Sequence, residues 1–128
     1  MNILKPILFI GVGGFLGSIA RYGLHLLISS RSAMVFPWGT FTVNISGCLL
    51  IGILVGLETR HELINDPLKW LLITGFCGGF TTFSTFSVEG LALLHDQQFG
   101  IFFGYTFGSV IIGLLSTLMG YGLINWFV

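Results

Sequence analysis

The chain has 128 residues, of which 54% are hydrophobic, 15% aromatic and 8% charged, with a mean hydropathy of +0.96. That balance excludes a water-soluble globular domain and points to an integral membrane protein. The formal charge is zero and the few charges fall near segment ends, so no basic patch exists for a nucleic acid to bind.

The charged residues divide the chain into four apolar spans, predicting an all-α membrane domain over residues 1–128 with both termini on one side. The first span is expected over 6–28. Lys5 followed by an apolar run resembles a cleaved leader, but no A-x-A site follows, and GGFLGS is rich in the small residues that let membrane helices pack closely. Arg21 interrupts this span about one turn before His25, either snorkelling to the headgroups, attracting anions at a vestibule or forming a structural ion pair. The second span is expected over 38–57, without a charge. Thr40 and Asn44 are four residues apart and share a face, with Gly47 close to the same stripe. A buried amide in lipid is costly unless bonded, so Asn44 either joins helices or lines a pathway. Residues Glu58 to Lys69, the longest hydrophilic piece, read as a loop.

The third span, over 70–95, carries the chemistry. From Gly75 to Ser87 it has three glycines and five hydroxyl side chains where a plain anchor would carry leucine or valine. The vicinal Gly78 and Gly79 predict a break near 76–81, which frees carbonyls and amides that lipid cannot satisfy. Freed carbonyls gather cations, and amides at a new helix start attract anions. Past the break, Phe80, Phe83 and Phe86 recur every three residues beside Thr81, Ser84 and Ser87. A ring's edge is its electropositive part, so phenylalanine edges beside hydroxyl donors are able to receive an anion without a full positive charge. Glu89 lies two residues beyond this stretch, and its role is open. After the short DQQ turn, the fourth span is expected over 99–127. Tyr105 and Ser109 share a face there, and Gly104 and Gly108 stand at GxxxG spacing. Cys48 and Cys77 read as small buried hydrophobes.

Loop lysines and arginines (Lys5, Arg60 and Lys69 against Arg31, with Arg21 if it snorkels) give a weak orientation bias. Such a small protein is therefore expected to insert both ways and assemble as an antiparallel homodimer, since four helices alone offer little interior for a pathway.

GGFLGSIARY, WGTFTVNISG and GFCGGFTTFSTFSVE occur in that order, and together they resemble the Fluc/CrcB fluoride channels over essentially the whole chain. The third motif is the specific one. The resemblance implies a dual-topology homodimer in the cell (inner or plasma) membrane, with two antiparallel pores that export fluoride passively. It implies that Phe83 and Phe86 touch fluoride with their ring edges and that Asn44 is the pore amide. Thr40, Ser84, Ser87, Tyr105 and Ser109 fall on or near a polar track, Arg21 matches a vestibule arginine and Glu89 a motif glutamate. Gly78 and Thr81 match positions whose backbone carbonyls, from both subunits, hold a structural sodium ion (Na+). Gly113 stands where some relatives carry a hydroxyl, so the inner track is expected to differ. Such a protein is a channel, not an enzyme. Two alternatives are a proton-coupled multidrug exporter, for which Glu89 is the one candidate carboxylate within a span, and a non-conducting membrane subunit, which would leave the TTFSTFS ladder without a purpose.

Overall fold

The computed structural model describes residues 3–30, 35–61 and 63–127. Arg31, counted above for orientation, and Glu62 of the hydrophilic piece lie outside these residues, as does the side chain of Arg60. The described residues form helices α1 (Leu4–Ser29) and α2 (Trp38–His61), then a composite third stretch, then α6 (Phe99–Phe127). The third stretch runs through α3 (Asp66–Leu68), a π-helix (Lys69–Cys77), α4 (Gly78–Phe80) and α5 (Phe83–His95). Four helical stretches are long and apolar enough to cross a membrane: Leu4–Ser29, Trp38–Thr59, Asp66–His95 and Phe99–Trp126. Their large apolar side chains point mostly outward, as lipid permits: Leu8, Phe15, Leu114 and Leu118 are all well exposed.

Two helix pairs account for most of the packing: α1 against the π-helix, and α2 against α6. Both are close backbone contacts made possible by glycine. A Cβ at Gly13 would collide with the Leu71 carbonyl oxygen, and one at Gly52 with the Thr117 carbonyl oxygen. Small residues let dispersion act between whole backbones where lipid removes any hydrophobic drive between helices. The GxxxG pair of α6 plays no such part within the subunit. Gly104 has nothing within 4 Å of its would-be Cβ, and Gly108 meets only Phe41 at 3.7 Å. The close helix contact that the GxxxG spacing suggested is not made within the subunit, because α6 turns that face away from its own chain.

The hydrophilic piece from Glu58 to Lys69 is not the open loop that its composition suggests. Helix α2 continues to His61, and the chain is helical again from Asp66, where Asn65 caps α3 by accepting from the Leu68 N–H at 3.2 Å. Lys69 donates to Glu58 at 2.5 Å across the gap. The charges mark helix ends projecting beyond the apolar zone. The DQQ turn closes tightly: Gln97 takes φ 59°, and the Gln98 N–H reaches back to Leu93 O at 2.8 Å, so α5 and α6 form a hairpin.

Candidate functional site

The third stretch changes backbone at two threonines. Gly78 and Gly79 remain helical, whereas Thr81 (φ −80°, ψ 157°) and Thr82 (φ −148°, ψ 118°) are extended between α4 and α5. Glycine weakness alone therefore does not locate the change. A side chain from α2 does: Asn44 Oδ1 accepts from the Thr82 N–H at 2.8 Å, and Asn44 Nδ2 donates to the Thr82 carbonyl at 3.0 Å. This paired contact supplies the hydrogen bonds that a helix would otherwise give the backbone, satisfying the Thr82 N–H and C=O. Thr82 then caps α5, its hydroxyl accepting from the Thr85 N–H at 3.2 Å.

The rearrangement diverts two helical donors. In an unbroken helix the Thr82 N–H would bond the Gly78 carbonyl and the Thr85 N–H would bond the Thr81 carbonyl. Here they go to Asn44 Oδ1 and Thr82 Oγ1. The carbonyls of Gly78 and Thr81 are left without those partners, while the Thr81 hydroxyl donates to Cys77 O at 2.9 Å. Gly47 makes room alongside, because a Cβ there would strike the Thr81 methyl.

Two cavities meet at Thr82, which lines both. The larger, about 540 Å³, brings together Asn44, Gly78, Thr81, Phe83, Phe86 and Ser109. Phe83 is 79% exposed, its ring 5.7 Å from that of Phe86. Ser109 Oγ is buried with no hydrogen-bond partner among the described residues. The smaller cavity, about 340 Å³, is lined by Arg21, His25, Thr40, Thr82 and Thr85 among others.

Thr40 and Tyr105 are brought together by the residue whose role the sequence left open. The Thr40 hydroxyl donates to Glu89 Oε1 and the Tyr105 hydroxyl to Glu89 Oε2, each at 2.7 Å. Tyr105 is 0% exposed and Thr40 1%. A carboxylate only accepts, so the single hydrogen of each hydroxyl is committed to Glu89. In this geometry neither serves as a free donor on a polar track. Tyr105 also packs its ring 5.0 Å from that of Phe86 and edge-on to Phe36 at 5.4 Å, so the Glu89 bond steadies one wall of the aromatic cluster.

The remaining stripe residues separate. Phe80 lies before the extended pair and stacks on Phe76 at 5.7 Å, so it shares no helix with Phe83 and Phe86. Ser84 and Ser87 are exposed and line neither cavity; Ser87 bonds back to Phe83 O at 2.9 Å, as hydroxyls in membrane helices commonly do. The period of three assumed one continuous helix, and the extended pair resets the register. Sequence reasoning missed Thr82 and Thr85, although a Thr just before an apolar helical run is an N-cap signal. Gly113 lies near Cys48, whose Sγ would be 3.4 Å from a Cβ there.

These features define a class, a small multi-pass helical membrane protein whose interior polar groups gather around an extended dipeptide. Residues 8–121 match the family model described as CrcB-like protein, Camphor Resistance (CrcB). The chain belongs to this CrcB-like family. Among its relatives, a protein of Phocaeicola vulgatus named fluoride-specific ion channel FluC is 47% identical over 117 residues, covering 91% of this chain and 96% of the relative. Proteins of the same name from Flavobacterium psychrophilum (45% identical, covering 91% and 94%) and Azobacteroides pseudotrichonymphae (41%, covering 98% and 100%) are similar over nearly their full lengths.

Proposed function

We infer that this chain is a fluoride-specific ion channel, acting passively as an antiparallel homodimer in a cell membrane. The relatives named above carry the fluoride assignment. The single structural observation that supports a pathway is the cavity that joins the Phe83 and Phe86 rings to Asn44 and the unpartnered Ser109 hydroxyl. Fluoride is small, strongly hydrated and purely an acceptor, so a conductor must replace water with donors yet bind weakly enough to release the ion. Asn44 keeps one N–H beyond the one given to Thr82, Ser109 keeps its O–H, and two ring edges add positive potential without a fixed charge. Helix α5 begins at the same cavity, with its partial positive end there. Thr40 and Tyr105 contribute by holding Glu89 and the Phe86 wall rather than by donating to the ion.

The antiparallel second copy fits the 79% exposure of Phe83, a large apolar ring that its own subunit leaves uncovered at the cavity. The extended Thr81 and Thr82, midway along a stretch long enough to span, support a break at membrane depth. A structural sodium ion would be held by the Gly78 and Thr81 carbonyls of both copies. The residues fit such an ion, because both carbonyls have lost their helical donors to Asn44 and Thr82. When bound, sodium supplies positive charge near the anion path and joins two interrupted helices. The proton-coupled exporter reading is disfavoured, because both oxygens of Glu89 are already engaged by hydroxyls.

The test is fluoride release from proteoliposomes by Phe83→Ile and Phe86→Ile. Each is expected to lose at least about tenfold in rate, equivalent to about 1.4 kcal/mol, while the dimer persists on size exclusion. Wild-type rates in both variants would remove the ring-edge assignment.

A further inference from the structure

We propose that Phe36, which precedes α2, is a positioning residue for the anion pathway: its ring sets the plane of Tyr105, and Tyr105 sets the place of Phe86. The proposal rests on the channel reading and extends it to a residue that lines neither cavity. Four rings run in a chain from the start of α2 to the larger cavity. Phe36 lies 5.4 Å from Tyr105, Tyr105 5.0 Å from Phe86, and Phe86 5.7 Å from Phe83.

The need for Phe36 follows from the shape of tyrosine. The hydroxyl lies on the axis about which the ring turns, so its 2.7 Å bond to Glu89 holds the tip and leaves the plane free. A terminal torsion of this kind is broad, with no staggered well to fix it. The plane is therefore settled by what touches the ring. Phe36 meets Tyr105 at 80°, the edge-on arrangement that ring quadrupoles favour, and Phe86 leans on Tyr105 at 50°. A turned Tyr105 presents a different surface to Phe86, which lines the cavity with Asn44 and Ser109.

Phe36 is itself seated on several sides. The proline after it disfavours the helical conformation, and α2 begins beyond it at Trp38. The Trp38 N–H donates to the Phe36 carbonyl at 2.8 Å and the Phe41 N–H to the Pro37 carbonyl at 3.0 Å, folding the approach to α2 into a tight turn. The Phe36 ring then sits 4.5 Å from that of Trp38 and, at 73°, 5.4 Å from that of Phe41. Trp38 and Phe41 are edge-on to each other at 5.9 Å, and a Cβ at Gly108 would lie 3.7 Å from the Phe41 ring. Helix α6 thus receives Phe41 at Gly108 and Phe36 at Tyr105, a residue that is 0% exposed.

Two measurements on the full-length dimer decide it. Phe36→Leu keeps an apolar side chain and removes the ring, and is expected to slow fluoride release from proteoliposomes about fivefold, the scale of one edge-on ring contact. Phe36→Tyr keeps the ring and restores the rate to within about twofold of the unaltered protein. The unaltered rate in Phe36→Leu, or equal slowing in both variants, overturns the proposal. Independently of flux, para-fluorophenylalanine in place of Phe86 reports its own surroundings by fluorine NMR. Its resonance is expected to move in Phe36→Leu and to stay in place in Phe36→Tyr. A resonance unmoved by Phe36→Leu overturns the route through Tyr105. Absence of fluoride release from the unaltered protein would instead remove the channel reading, and the resonance would still decide whether Phe36 holds the Phe86 ring.

Discussion

At the scale of single residues, Asn44 does most to shape the site. It was legible in the sequence as an amide that either joins helices or lines a pathway; in the structure it bonds to Thr82 and lines the larger cavity. Its two bonds have different chemistry, which makes them separable. Asn44→Ala leaves the Thr82 N–H and carbonyl unsatisfied, an expected loss of about 1–3 kcal/mol for each buried group. Asn44→Asp keeps the acceptor for the N–H but sets an oxygen against the Thr82 carbonyl, so it should rescue little. Thermal midpoints in detergent check this, with Asn44→Ala and Asn44→Asp both well below the unaltered protein. Glu89 shows what sequence could not convey. Its partners Thr40 and Tyr105 lie 49 and 16 positions away, and only the packing of α2, α5 and α6 brings three polar groups to one point.

The elements themselves were readable from charge spacing, because apolar length is fixed by membrane thickness and little else in the chain competes with it. Their ends were less so: α2 runs on to His61 within residues whose polarity suggested a loop, since a helix leaving the membrane is as hydrophilic as a loop. The register within the third stretch was also hidden. The extended Thr81 and Thr82 take Phe80 off the helix carrying Phe83 and Phe86, and the cause is a side chain on another helix. Glycine spacing misled in one place and not in another, because a motif does not say which face a neighbour covers. Gly13→Ala puts a methyl group into the Leu71 carbonyl and should cost about 1–3 kcal/mol, as overpacking does. Gly104→Ala meets open space within the subunit and should leave subunit stability close to the starting value. Comparing the unfolding of the two variants in detergent checks the assignment of the close helix pair.

For the whole molecule, the two cavities, the exposed Phe83 ring and the released carbonyls of Gly78 and Thr81 all lie around the extended pair. The sequence supplied the polarity of this region, and the CrcB-like relatives supply the ion. The most direct measurement is ion efflux from liposomes containing the purified protein, loaded in parallel with fluoride or chloride and followed with selective electrodes. Rapid, saturating fluoride release with chloride retained is the predicted result. Retention of fluoride, or equal release of both halides, would contradict the account.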